Sequence, residues 1–382
     1  MKQWSLTFYI QWIIISLQLM RFLSNAYIPF DWSSDVARIA MDIAGFVTEI
    51  PFTTPLDAYY ISIIVCFTMI TFAFLTALVH HFYRWTTPLS WMRTILMWFP
   101  VAYFPVLIPH LKLLLPCLSY SPDSNIVNPF YENLTCWQGG YIGWAILSVI
   151  LACVAFTMQY LITACFYNDD SPRPTERTHN KNPLNAKYTA ATDISLLLFK
   201  TVLLILYIGG HSSTWRYAMG FLTLLSGIAA ELHLLWLCPW WEDSAMNMHI
   251  FQAFILAWTG VVSVFMTAFG DTEGTGMLYF VMLPVLYIAA EMILHWRMRV
   301  CGDLSERELT SVALLLCKIR FVCRAYYKWL ASFGDIYIEP SEAQDRELMV
   351  YFKQTKHLLQ LGQERFPESA DLNIALSDFH FF

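Results

Sequence analysis

Long apolar runs alternate with short polar breaks along the chain, at lengths that suit a bilayer better than a water-soluble core. The run 59–83, YYISIIVCFTMITFAFLTALVHHFY, holds no Asp, Glu, Lys or Arg before Arg84. At 1.5 Å per residue it crosses a hydrocarbon layer of about 30 Å with some tilt. After the turn RWTTPLS, the run 91–115 returns, broken by Pro100, Pro105 and Pro109. A straight helix does not hold three prolines, so this span should kink or unwind where neighbours can meet the freed carbonyls. Further spans follow over 141–167, 194–210, 217–238, 248–269 and 277–296. The opening run, 5–28, has only about 19 suitable residues, contains Gln11 and Gln18, and meets Arg21 near its end. It reads as a first span; the competing readings are a cleaved signal peptide, with Ser24 and Ala26 as a small-x-small site, and a helix lying in the interface. Between it and residue 57 the prolines and acids describe a loop with one short amphipathic helix near 36–47. The pattern predicts an all-α, polytopic transmembrane helix bundle of about eight spans, or seven without the first.

Composition sharpens this. The 382 residues are 57% hydrophobic, 16% aromatic and only 14% charged, against about 25% charged in ordinary soluble domains. The net charge of -6 is thinly spread and no dense basic face exists, so nucleic acid is excluded as a partner and the lipid bilayer is implied.

The polar interruption 114–140, LLPCLSYSPDSNIVNPFYENLTCWQGG, sets the sidedness. Asn133-Leu134-Thr135 is an N-glycosylation acceptor, and Cys117 and Cys136 bracket the same loop. A disulfide between them would contribute roughly 3 kcal/mol in the chain-entropy picture and persists only on an oxidising side. With that loop outside, the loop holding Arg173, Arg177, Lys181 and Lys187 falls inside, as do Arg84, Arg93, Arg297 and Arg299, in accord with the positive-inside rule. Both termini then lie in the cytoplasm, while Arg38 and Arg216 are left outside. Trp85, Trp91, Trp137, Trp215, Trp240, Trp241 and Trp296 fall at span ends and read as bilayer anchors.

Ionisable residues within the spans are the remaining chemistry. Lys200 and Glu231 sit at depths of roughly 9 and 10 Å in antiparallel spans, and Glu291 at roughly 8 Å, with His233 and His295 close by. The expectation is a Lys200–Glu231 pair fixing helix register, an ion or proton path, or a lysine snorkelling to the interface. No catalytic set, metal cluster or cofactor motif emerges: adjacent His80 and His81 point to different helix faces, and the other cysteines lack C-x-x-C spacing. Cys301 reads as a palmitoylation position or a plain thiol.

After Trp296 the character changes. Ser305 to Glu308 is a capping signal, followed by Leu309, Val312, Leu316, Ile319 and Val322 at helical spacing and by Lys318, Arg320, Arg324 and Lys328. This suits a helix along the anionic inner leaflet, or a stalk leaving the membrane. A second helix over about 342–365 and the start of a third follow, so the division expected is a bundle over 1–298, a juxtamembrane helix over 299–338 and a repeat-like region over 339–382. In that last region Gly362, Phe366, Pro367, Ser369, Leu372, Ile374 and Phe379 form a helix-turn-helix pattern. Together with Pro88, Arg93 and Cys136-Trp137-x-Gly139 it resembles the tiny macrocysts protein B and C family of protists and green algae. The resemblance implies tetratricopeptide-type repeats after the membrane region, but members are usually far longer and often carry PAS domains. This chain stops within the first repeat-like pair, and solenoids need about three repeats. It is therefore a truncated sequence, or a short paralogue whose terminal helices dock elsewhere. The function expected is non-enzymatic: the membrane module of a sensory or signalling protein, in a plasma or ciliary membrane, with a cytoplasmic protein partner on its C-terminal helices. A transporter or channel using Lys200, Glu231 and Glu291 is the alternative. A seven-span receptor lacks the Asp/Glu-Arg-Tyr signature, and an acyltransferase would rest only on intramembrane histidines.

Overall fold

The computed structural model describes residues 3–20, 35–48, 55–82, 95–96, 98–118, 126–166, 190–209, 213–240, 243–270, 273–312, 314–319, 321–322, 325, 342–369 and 372. Helices α1 (Gln3–Met20), α2 (Asp35–Thr48), α3 (Pro55–Phe82) and α4 (Phe99–Leu118) precede a hairpin, β1 (Val127–Asn128) and β2 (Tyr131–Thr135). Then come α5 (Tyr141–Phe166), α6 (Ala191–Gly209), α7 (Ser213–Leu237), α8 (Asp243–Phe269), α9 (Glu273–Asp303) and α10 (Glu342–Arg365). Seven helices, α3 to α9, are long and apolar enough to cross a membrane; α1 has a shorter apolar run, Phe8–Met20. The chain is thus an all-α multi-pass membrane protein; among the described residues seven helices have the full spanning length, and the first segment is a packed but shorter helix. The basic turn 84–93, the basic loop 168–189 and residues 373–382 lie outside the described residues.

The surface explains why this sequence needs lipid. On α3, Ile64 is 65% exposed whereas Ser62 is fully buried, and on α5 Ile146, Val149 and Ile150 face outward while Ser148, Gln159 and Thr163 are inside. A water-soluble helix buries its apolar stripe and shows its polar one. Here the polar atoms turn inward to find partners, which is the arrangement a hydrocarbon solvent requires.

Two compact units divide the described residues: the first takes those up to Phe166, 190–231 and 251–286, the second 232–250 and 287 onward. In the first, α4 packs against α1, α2, α3, α5 and α6. Gln252 Nε2 on α8 donates to Ser16 Oγ and to the Trp12 carbonyl on α1, each at 3.3 Å, and Trp12 stacks on Phe251. Gln18, one of the polar residues that make the opening run a poor lone span, donates to the Val101 carbonyl on α4 at 2.9 Å. Helices α7 and α8 approach through Gly220, Gly227 and Gly260, where neighbouring backbone occupies the place of a side chain. Small residues at such crossings allow the close packing that drives association in lipid.

The second unit has its own core: Leu309, Leu315, Leu316, Ile319 and Val322 pack with Leu358, Leu359 and Leu372. Among the described residues, the apolar stripe expected to lie along the anionic inner leaflet packs against α10 and Leu372. Lys318 turns inward as well, donating to the Gly302 carbonyl and lying over the Phe321 ring. The capping signal is real, although it starts a 3-10 turn, Glu306–Glu308. The Ser305 N–H and hydroxyl both donate to the Glu308 carboxylate, at 2.8 and 2.7 Å.

Those two donors hold Glu308 below its ordinary value of 4.5. A carboxylate depressed in the fold contributes stability that is complete above its unfolded value and lost as pH falls through the depressed one. A carbon-13 carboxyl titration of the solubilised protein should therefore give Glu308 a midpoint below 4.5, and Ser305→Ala should move it upward; an unmoved midpoint would contradict the cap.

Candidate functional site

The proline-rich helix α4 is the best-connected element of the first unit. Pro105, Pro109 and Pro116 lie inside it, and each proline lacks the N–H that would bond the carbonyl four residues earlier. For Pro105 that carbonyl belongs to Val101, and Gln18 Nε2 on α1 donates to it at 2.9 Å. For Pro116 it belongs to Lys112, and Asn128 Nδ2 in the hairpin donates to it at 3.3 Å while also donating to the Leu113 carbonyl at 3.0 Å. At Pro105 and Pro116, side chains from elsewhere thus replace the missing donors.

The hairpin is held over the end of α4. Cys117 and Cys136 form a disulfide with Cα atoms 5.3 Å apart. The Tyr131 hydroxyl donates to the Pro109 carbonyl, the Tyr141 hydroxyl to that of Leu113, and the Trp137 indole to that of Cys117. Asn128 Oδ1 accepts from the Phe130 N–H at 2.9 Å, which shapes the turn. Asn133 lies on β2, and its side chain is outside the described ones. Trp137 and Trp215 do more than anchor a bilayer edge: the Trp215 indole donates to the Leu206 carbonyl near the end of α6.

Beneath the hairpin, α3, α4 and α5 enclose a polar cluster. The Tyr59 hydroxyl lies 2.8 Å from Ser148 Oγ, and Ser62 Oγ lies 3.4 Å from His110 Nε2. Ser62 already donates to the Tyr59 carbonyl at 2.6 Å. Its one proton is therefore used, so Nε2 of His110 is the donor between them. His110 is fully buried, and its Nδ1 has no hydrogen-bond partner among the described residues. Tyr59 stands edge-on to the His110 ring, with ring centroids 5.1 Å apart. The cluster holds no nucleophile-base-orienter chain. His110 was not singled out by sequence, and the signal that could have found it is its place directly after Pro109 in an otherwise apolar span.

Lys200 on α6 and Glu231 on α7 are both half-buried, but no hydrogen bond or ion pair joins them among the described residues. Equal depth fixes height along the bundle and not the side of the helix from which a side chain leaves. Glu291 on α9 is exposed and belongs to the second unit, where its carbonyl lies 3.0 Å from His295 Nδ1. No group of three or more His, Cys, Asp or Glu side chains suited to a metal is found among the described residues. Cys301 is completely buried, which argues against lipidation there. In comparison with known proteins, the sequence matches no family model, no curated protein and no solved structure.

Proposed function

We propose that this multi-pass protein is the membrane module of a sensory or signalling protein, in which a helical unit after the last span passes on events in the membrane or at the disulfide hairpin. The observation that carries this reading is the separate core of the second unit, in which 309–322 packs against α10 and Leu372. A helical core of this kind offers a partner-binding or relay surface, whereas a transporter has no need of one. The resemblance of 362–379 to the helix pairs that follow the membrane region in the tiny macrocysts family supports the same reading. In this view the hairpin faces the lumenal or extracellular side, glycosylated at Asn133, and both termini face the cytoplasm.

The test uses the full chain in vesicles with the hairpin outward. Reduction of Cys117–Cys136 by a membrane-impermeant phosphine is expected to alter amide exchange in α10, followed by mass spectrometry. Unchanged exchange across 342–365, with complete reduction of the hairpin, counts against transmission. Ion flux through the same vesicles that disappears in a normally folded Glu231→Gln variant would replace this reading with a transporter.

A further inference from the structure

Three buried sulfurs meet in the second unit. Cys238 ends α7, its N–H donating to the Leu234 carbonyl at 2.8 Å and its backbone turning into the left-handed region at φ 44°. Cys301 lies in the last turn of α9, and Cys317 lies in the segment that packs under α10. Their exposures are 4%, 0% and 3%. Cys301 Sγ and Cys317 Sγ are 2.7 Å apart, closer than unbonded sulfurs rest and somewhat longer than a disulfide of about 2.05 Å. Cys317 also hydrogen-bonds with Cys238. Arg297, whose Nε donates to the Leu235 carbonyl at 2.9 Å, places Nη2 3.8 Å from Cys317 Sγ. The Cys238 contact and the Arg297 guanidinium favour the thiolate, the form that reacts, but the Cys301 contact and burial outweigh them, so the Cys317 thiol is held above its ordinary value.

We propose that Cys301, Cys317 and Cys238 form a thiol redox site, in which Cys317 is the central sulfur and pairs with Cys301 on oxidation by a small peroxide. The Cys317 thiolate attacks one peroxide oxygen, the O–O bond breaks, and the departing hydroxide takes up the thiol proton as water. The Cys301 sulfur then attacks the Cys317 sulfenic acid, the S–O bond breaks, and a second water leaves with the Cys301 proton. Two thiols and one hydrogen peroxide give one disulfide and two waters, the two sulfurs together losing two electrons. Cys238 in its turn can attack the Cys317 sulfur, moving the disulfide to Cys238–Cys317 and releasing the Cys301 thiol. The first bond ties the end of α9 to the core after it, and the second ties the end of α7 there instead. On the cytoplasmic side such a bond would be transient, as in redox sensors. This proposal stands on the sulfur geometry and does not depend on the signalling reading.

The full chain in lipid nanodiscs is treated with hydrogen peroxide, quenched in acid, denatured, alkylated and digested for mass spectrometry. The expected product is a Cys301–Cys317 cross-linked peptide, reversed by dithiothreitol, with a smaller Cys238–Cys317 product. Cys317→Ser should reduce both to background, while Cys301→Ser should shift the yield to Cys238–Cys317. The idea fails if the peroxide-treated wild-type chain gives neither cross-link, a result that does not depend on any variant folding. It also fails if zinc released on denaturation matches the protein mole for mole, which would make the three sulfurs metal ligands.

Discussion

Replacing Gly227 with alanine is expected to lower the thermal unfolding midpoint of the solubilised protein as much as any single methyl addition described in the bundle. A Cβ at residue 227 would stand 2.3 Å from the Ala257 backbone nitrogen and 2.6 Å from its Cα. Backbone cannot rotate away as a side-chain tip can, so α7 and α8 must separate and lose dispersion contacts along their length. Overpacking costs typically about 1–3 kcal/mol where side chains can adjust, and this site should reach the upper end or pass it. Gly260→Ala should behave alike, because its Cβ would meet the Leu224 nitrogen at 2.3 Å. At Gly220 the nearest atom is Val264 Cγ2 at 2.6 Å, a side chain, and the loss should be smaller. Gly143 on α5 is the control: nothing lies within 4 Å of its Cβ position, and alanine there should be neutral or stabilise by about 0.4–1 kcal/mol through the unfolded chain. If Gly227→Ala and Gly143→Ala unfold at the same temperature, the close α7–α8 contact is wrong.

What the sequence made legible follows from what a linear pattern can carry. The spans were readable because hydrocarbon crossing is a matter of length and composition. The expected run 141–167 appears as Tyr141–Phe166, and the short amphipathic helix near 36–47 as Asp35–Thr48. The need of α4 for outside donors was also readable from its prolines. Which donors would serve was not: Gln18 reaches Val101 across 83 residues of sequence, and no local rule links them. The same limit explains Lys200 and Glu231, whose heights could be counted but whose helix faces could not. Cys117 and Cys136 were legible as a pair because both bracket one loop, whereas Cys301 and Cys317 were passed over for lacking C-x-x-C spacing. They meet because the chain reverses through the 3-10 turn Glu306–Glu308 between them. The glycines of α7 carried a readable signal in their seven-residue spacing, since Gly220 and Gly227 fall on one helix face.

Asn128→Leu should produce the second large loss of stability, and its pattern of rescue identifies the cause. The Asn128 side chain is fully buried and serves three backbone groups, the Lys112 and Leu113 carbonyls and the Phe130 N–H. Leucine fills similar space but takes this partner from the Lys112 carbonyl and the Phe130 N–H, at about 1–3 kcal/mol for a buried unsatisfied group, while the Leu113 carbonyl keeps the Tyr141 hydroxyl. Asn128→Asp should lose as much, because an ionised carboxylate accepts and cannot donate to the two carbonyls. Breaking the disulfide with Cys117→Ser and Cys136→Ser removes a constraint worth typically 2–4 kcal/mol. The two losses should not add, because Asn128 Nδ2 lies 3.4 Å from Cys117 Sγ and both hold the same hairpin on α4. The discriminating variant is Pro116→Ala in the Asn128→Leu background. Alanine at 116 restores the N–H that a regular helix gives to the Lys112 carbonyl, so it should recover part of the loss. In the wild-type background, where Asn128 already serves that carbonyl, the same substitution should gain little. Equal effects of Pro116→Ala in both backgrounds, read from the unfolding midpoints, would mean that Asn128 does not stand in for the proline's missing donor.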